Sequence, residues 1–119
     1  MRLCVPCEQV QVDILPTTPV RIVIRRLVAA YGKTAYRIND GHCDWFAEDL
    51  VFLLEWQNKR PLYWDTEDPD EIGLPGHCWV ILEGRCYDAE TPRGVPNWEK
   101  LPIFVKFLKA REGRASATA

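Results

Sequence analysis

Residue types that together perform nucleophilic catalysis occur in the order Cys43, His77, then Asp88 or Glu90. A thiol attacks a carbonyl carbon only after a base has taken its proton, and that base needs a third group to fix its tautomer. The other histidine, His42, adjoins Cys43, and neighbouring side chains at the start of a helix point apart. His77 is therefore the better candidate base, and the pattern predicts a thiol–imidazole–carboxylate site.

Cys43 stands at the beginning of a helix predicted over residues 43–56. Apolar residues follow it at the spacing of one buried helix face, at Phe46, Ala47, Leu50, Val51 and Leu54. Asn39 or Asp40 can cap this helix, and Gly41 permits a sharp turn into it. The unpaired N–H groups and the dipole at the helix start favour a thiolate, and the backbone N–H of Cys43 is a candidate oxyanion donor. The alternative is a small buried side chain that merely begins the core face.

The candidate base and both acids lie in a predicted β-hairpin with strands at 77–82 and 85–90, joined by Glu83-Gly84. Pairing Leu82 with Arg85 sorts the side chains, because directly opposed residues share a face of the sheet. One face then carries His77, Trp79, Ile81, Cys86, Asp88 and Glu90, and the other carries Cys78, Val80, Leu82 and Tyr87. Both acids are within reach of His77, with Glu90 opposite and Asp88 diagonal, and Trp79 is either a wall of the site or part of the core.

The remaining segments predict a small α+β domain. Residues 8–14 alternate as a half-buried strand, and a helix capped by Thr18 ends at Gly32. Residues 58–76 lack periodicity and predict a long loop, a flap or an acidic solvated segment. A last strand is predicted over 103–108. Residues 1–109 then form one domain, and residues 110–119 are predicted to be a disordered tail.

The apolar side chains of the second helix cover more than one of its sides. Trp45, Phe52 and Trp56 fall off the core stripe, and we expect another layer of the same chain to cover them. At the other end of the chain, Cys4 and Cys7 form a CxxC pair, for which zinc or redox chemistry competes with a short edge strand carrying small thiols.

Composition excludes several classes of function. The 119 residues carry a nearly balanced net charge of −2 without a basic stripe, which argues against nucleic acid as a partner. We expect no membrane span and no signal peptide, because no apolar run is long enough. Five cysteines, an odd number, do not suggest a disulfide framework. The expectation is a cytoplasmic protein.

Three short motifs carry a resemblance to a known group of proteins. Gly41-x-Cys43-x-x-Phe46-Ala47, His77-x-Trp79-Val80 and Tyr87-Asp88-Ala89 resemble the core of the transglutaminase-like proteins and of the wider papain-like group that includes the NlpC/P60 peptidases. In that group a cysteine opens the central helix, and histidine and aspartate follow on neighbouring strands. The resemblance covers residues 38–96.

The resemblance implies a papain-like α+β fold in which the cysteine-bearing helix packs on an antiparallel sheet. It implies Cys43 as nucleophile, His77 as base and Asp88 as orienting acid, with no metal and no cofactor. Because the group usually adds a side-chain oxyanion donor upstream of the cysteine, Asn39 and Tyr36 are candidates for that role. Trp79 and Glu90 are candidates on the substrate side.

The implied function is acyl transfer from a protein or peptide substrate through a thioester, as in a peptidase, amidase, deamidase or transglutaminase. One alternative is a papain-like fold that serves as an inactive binding or inhibitory module. Another is a zinc site formed by His42, Cys43, His77 and Cys78. Adjacent residues on a strand point to opposite faces, which opposes zinc binding by His77 and Cys78 together.

Overall fold

The computed structural model describes residues 1–67, 69 and 73–118, and for residues 114–118 it describes the backbone course alone. Asp68, Asp70, Glu71 and Ile72 of the predicted loop, and Ala119 of the predicted tail, lie outside the described residues. The chain forms a small α+β domain with antiparallel sheets, as the sequence predicts.

The N-terminal part is a β-hairpin followed by a helix. Strand β1 (Arg2–Cys4) pairs with β2 (Gln11–Asp13), and of the apolar positions of the predicted strand Val12 and Ile14 are buried and Val10 is partly buried. Helix α1 (Val20–Tyr31) begins directly after Pro19 without a side-chain cap, so the prediction of Thr18 as its cap is wrong. The Thr18 hydroxyl instead accepts a hydrogen bond from the Leu15 N–H. Gly32 ends α1 in the left-handed conformation, as predicted.

A short helix, α2 (Ala35–Asn39), precedes the cysteine-bearing helix α3 (Cys43–Trp56). The prediction that Asn39 or Asp40 caps α3 is wrong, because both residues lie at the end of α2. Gly41, with φ of +126°, makes the turn between the two helices. Cys43 is the first residue of α3, as the apolar spacing predicts.

Helix α3 is the central element of the core. Its buried apolar side chains are those of Phe46, Ala47, Leu50, Leu53 and Leu54. Trp45 and Phe52 were expected to be covered by another layer of the chain, but they remain 45% and 39% exposed. No described segment packs over this outer side of the helix closely enough to bury them.

The second sheet has the strand order β3 (Leu62–Asp65), β4 (Cys78–Leu82), β5 (Arg85–Tyr87), all antiparallel. Leu82 pairs with Arg85, which confirms the predicted register of the hairpin. Strand β3 lies inside the segment predicted as a loop. Strand β5 ends at Tyr87, three residues before the predicted end, because the chain turns from Asp88 to Thr91.

The predicted last strand over 103–108 is wrong, because these residues belong to helix α4 (Pro102–Thr118). A short apolar segment, here interrupted only by Lys106, does not separate strand from helix by periodicity. Pro102 suits the first turn of a helix, and the N–H groups of Phe104 and Val105 both donate to Leu101 O at 3.0 Å. The helix continues through residues 110–118, where the composition predicts a disordered tail.

The two faces of the second sheet belong to two apolar clusters. Val80, Leu82 and Tyr87 pack with α1 and α3. Trp79 and Cys86 pack with Leu101 and Phe104 from the beginning of α4 and the residue before it. This is the division of side chains that the hairpin register predicts. Of the helices in the described ranges, none is long and apolar enough to cross a membrane.

Candidate active site

His77 and Asp88 form a buried pair at one end of the hairpin. His77 Nε2 lies 3.0 Å from Asp88 Oδ2, and both residues are only 2% exposed. The contact expected between these two residues is present. With one imidazole nitrogen held in this way, the tautomer and the ring orientation of His77 are fixed.

The turn after β5 holds the Asp88 carboxylate in place. Oδ1 accepts hydrogen bonds from the Glu90 N–H and from the Thr91 hydroxyl, both at 2.9 Å. Asp88 therefore approaches His77 with one oxygen while the other oxygen is bound to its own turn. Glu90 leaves the ladder at this turn, so its expected position opposite His77 is wrong. Its carboxylate accepts a hydrogen bond from Asn39 Nδ2 at 2.9 Å.

Aromatic side chains immobilise the His77 ring. The Trp79 ring stacks against it at 25°, with centroids 6.1 Å apart, and Phe104 meets it edge to face at 5.8 Å. Trp79 is thus a core residue that also forms a wall for the base. The second imidazole nitrogen, Nδ1, is buried and has no regular hydrogen bond to any described residue. It is the nitrogen left free to act on Cys43.

The electrostatics of His77 favour its protonated form. Burial disfavours the imidazolium, but the hydrogen bond to Asp88 and the interaction with the Cys43 side chain outweigh it and raise the pKa of His77 to about 9. Hydrogen bonding from the Cys78 side chain, opposed by burial and aided by His77, lowers the pKa of Cys43 to about 4. Between these two values the site holds a thiolate beside an imidazolium.

A second thiol, that of Cys78, is a site residue whose role sequence reasoning missed. It lies beside Cys43, and the interaction with the Cys43 side chain is the main cause that raises the pKa of the Cys78 thiol, with burial adding to it. The Tyr63 hydroxyl donates to Cys78 Sγ at 3.0 Å. Three groups therefore form a chain from the β3 tyrosine through Cys78 to Cys43. Alternation along the strand correctly places Cys78 on the face away from His77, and that face is where α3 packs.

Cys43, His77 and Cys78 open into one cavity of about 430 Å³, whose wall also includes Asn39, Asp44 and Thr66. Cys43 has no partner for its N–H inside α3, since it is the first residue of the helix.

The predicted oxyanion donors do not both face this cavity. Asn39 lines it, but its amide N–H is bound to Glu90, and its Oδ1 is buried without a hydrogen-bond partner among the described residues. Tyr36 is 57% exposed and lines a neighbouring pocket of about 150 Å³, which also includes Asn39 and Glu90. The Lys106 ammonium lies 4.9 Å from the centre of the Tyr36 ring.

The other candidate ligands lie away from this cavity. His42 Nε2 is 3.4 Å from Lys33 Nζ, and His42 lines a different pocket from Cys43. Cys4 and Cys7 belong to the N-terminal hairpin, where Cys7 Sγ donates to Glu48. Within the described part of the chain, no three His, Cys, Asp or Glu side chains are grouped as metal ligands.

Comparison of the chain with protein-family models, with curated proteins and with solved structures gave no match.

Proposed function

We propose that this protein is a cysteine-dependent acyl-transfer enzyme with a papain-like fold, in which Cys43 is the nucleophile, His77 the base and Asp88 the orienting acid. One observation carries the proposal. His77 is bound to Asp88 through Nε2 while its buried Nδ1 is left to Cys43, at the first residue of α3. A histidine that served only to fill the core would gain nothing from an unpaired buried nitrogen, which costs about 1–3 kcal/mol.

The chemistry follows from the two pKa values. The Cys43 thiolate attacks the carbonyl carbon of an acyl substrate, and the imidazolium of His77 gives its proton to the leaving group as the carbon–leaving group bond breaks. The product is a thioester on Cys43. The now neutral His77 takes a proton from water or from an amine, which attacks the thioester and releases the acyl group. Hydrolysis and transfer to an amine share the first step.

Peptidase, amidase, deamidase and transglutaminase activities are all compatible with this intermediate, and a protein or peptide is the proposed substrate. The fold proposal depends on the order of elements: a cysteine begins the central helix, and a histidine and an aspartate follow at neighbouring strands of an antiparallel sheet. All five cysteines are free thiols, which is typical of a reducing compartment and supports the proposal of a cytoplasmic location.

An inactive binding module is the second candidate, and the exposed aromatic side chains favour it. Trp45 and Trp64 are 45% and 53% exposed, and aromatic side chains in such positions are enriched at protein interfaces. The two candidates differ in one respect, because a module does not need an ionised Cys43.

An activated ester such as p-nitrophenyl acetate tests the proposal without knowledge of the substrate. We expect acetylation of Cys43, seen by peptide mass spectrometry, followed by turnover. Cys43→Ala should lower turnover on the order of 10³-fold or more, and His77→Ala by roughly 10²-fold. Asp88→Asn should have a smaller effect, because Asp88 orients the base and does not accept the thiol proton.

The dependence on pH separates the enzyme from the module. The ratio kcat/KM should rise as Cys43 ionises at about 4 and fall as His77 loses its proton at about 9. Cys4→Ser, which alters an exposed thiol of the N-terminal hairpin, is the matched control and should leave the profile unchanged. Acetylation spread over the exposed cysteines, without turnover, would favour the module.

A further inference from the structure

The side chains of Cys43 and Cys78 form a dithiol that the acyl-transfer chemistry does not require. One lies on the first turn of α3 and the other on the first residue of β4, and both line the same solvent-open cavity. Helix α3 packs on β4, and the two side chains are close enough to shift each other's pKa values in opposite directions. An acyl-transfer site needs one thiol, a base and an orienting acid, so a second thiol in contact with the nucleophile calls for another explanation.

We propose that Cys78 is a resolving cysteine, and that a peroxide converts Cys43 and Cys78 into a reversible disulfide that switches the site off. In the first step the Cys43 thiolate attacks one oxygen of hydrogen peroxide and the O–O bond breaks. With one proton taken up, the products are the Cys43 sulfenic acid and water. In the second step Cys78 sulfur attacks the Cys43 sulfur, the S–O bond breaks, and the hydroxyl leaves as water with the Cys78 proton. Overall, two thiols give two electrons to the peroxide and yield one disulfide and two waters.

The surroundings of Cys78 suit this second step. His77, which lines the same cavity, can give its proton to the leaving hydroxyl and recover one from Cys78, and the Tyr63 hydroxyl lies 3.0 Å from the attacking sulfur. Once Cys43 is a neutral sulfenic acid, its negative charge no longer raises the pKa of Cys78, while the hydrogen bond from the Tyr63 hydroxyl, which lowers that pKa, remains. Both cysteines are partly exposed, so a small oxidant and a reductant can reach them.

The other cysteines are not placed to resolve Cys43. Cys86 is buried on the opposite face of the sheet, among Trp79, Leu101 and Phe104. Cys7 is bound to Glu48 on another side of α3. A disulfide between Cys43 and Cys78 would block the nucleophile and protect it from irreversible oxidation to the sulfinic acid. A dithiol reductant would restore both thiols and become a disulfide itself.

Trypsin makes the test direct, because it should place Cys43, Cys78 and Cys86 on three different peptides. The full chain is reduced, freed of reductant, treated with hydrogen peroxide at an equimolar ratio and then alkylated. We expect the peptides that contain Cys43 and Cys78 to be linked, while Cys4, Cys7 and Cys86 are alkylated. Dithiothreitol should separate the linked peptides and restore alkylation of both sites.

The variant Cys78→Ser keeps the size of the side chain and a partner for Tyr63. It should accumulate a Cys43 sulfenic acid that dimedone traps, and excess peroxide should convert it to the sulfinic acid, which dithiothreitol does not reverse. Cys78→Ala serves as a second variant if the serine hydroxyl alters the site, and Cys4→Ser as the control that should behave as wild type. A wild-type protein that gives dimedone-trapped Cys43 without the linked peptide, or that links other cysteines instead, would overturn the inference. The readout is the state of the thiols, so it does not depend on whether Cys43 also performs acyl transfer.

Discussion

Two thiols lie along the N-terminal half of α3, and their surroundings drive their pKa values in opposite directions. Cys43, in the first turn, has its pKa lowered to about 4 by Cys78 and His77. Cys7 reaches the next turns of the same helix, where burial and its hydrogen bond to Glu48 raise its pKa to about 12, helped by the charge of Asp49. A position near a helix N-terminus therefore does not by itself activate a thiol. The groups that contact the sulfur determine the pKa of the thiol.

The carboxylate of Asp49, near Cys7, has a structural role. It is fully buried and accepts hydrogen bonds from the Cys7 and Glu8 N–H groups, at 2.7 and 3.1 Å, and from the Tyr31 hydroxyl at 2.6 Å. These contacts join the N-terminal hairpin, α1 and α3. Asp49 is thus a structural carboxylate, whereas Asp88 uses one oxygen on its own turn and directs the other to a base.

The largest effect expected from this comparison is in alkylation by iodoacetamide at pH 6. With pKa values of about 4 and about 12, the ionised fraction of Cys43 exceeds that of Cys7 by about 10⁶. The Cys7 thiolate is intrinsically more nucleophilic by roughly 10³–10⁴, because nucleophilicity rises with pKa. Cys43 should therefore react about 10²-fold faster or more, as measured by site-resolved mass spectrometry. His77→Ala should reduce the ratio, and a wild-type ratio below about ten would contradict the ionised site.

The next effect is on the free energy of unfolding as a function of pH. The lowered pKa of Cys43 contributes stability that is complete above the ordinary value of 9.0 and is lost as pH falls through about 4. The raised pKa of His77 contributes stability that is complete below 6.5 and is lost as pH rises through about 9. Between 6.5 and 9 the two slopes cancel, and between 4 and 6.5 only the cysteine slope remains.

Urea unfolding between pH 4 and 9 tests the combined contribution of Cys43 and His77 to the free energy of unfolding. Wild type should gain stability from this pair up to pH 6.5 and then level off. Cys43→Ala should lose the rising limb and retain only the decline above 6.5 that His77 and Asp88 produce. Cys4→Ser should follow wild type. Parallel curves for wild type and Cys43→Ala would mean that Cys43 does not change its ionisation on folding.

The smallest expected effect concerns the reactivity of the Cys7 thiol. Glu48→Gln removes a charge and weakens the acceptor of the Cys7 hydrogen bond, so the pKa of Cys7 should fall. Alkylation of Cys7 at pH 8 should then increase about three- to tenfold. Cys43 contacts different groups, and its rate should change by less than about a factor of two. A larger change at Cys43 than at Cys7 would show that the two environments are not separate.

The parts of the fold that local chemistry determines were predictable from the sequence. Glu83 and Gly84 both have positive φ, as a two-residue hairpin turn requires, and the alternation beside them sets the register. The start of α3 at Cys43 follows from its apolar spacing. His77 contacts Asp88 and not Glu90 because the chain turns between Asp88 and Thr91, and the sequence pattern did not reveal this turn.

The parts that tertiary packing determines were not predictable. Residues 103–108 are apolar except for Lys106, so their pattern does not distinguish strand from helix, and in the helix Phe104 packs against Trp79 and Trp98. The contact between Cys43 and Cys78 depends on where the start of α3 meets β4, which no local pattern encodes. Among the described residues, β3 brings Tyr63 to this site, although its segment has the composition of a loop.

The packing of Phe104 against His77 has a consequence for the order of events during synthesis. The chain leaves the ribosome from its N-terminus, so Cys43 emerges well before residue 104. Until Phe104 arrives, one side of the imidazole has no aromatic neighbour, and the ring has rotational freedom that the finished protein denies it. A nascent chain therefore carries Cys43 before the His77 ring is held in position.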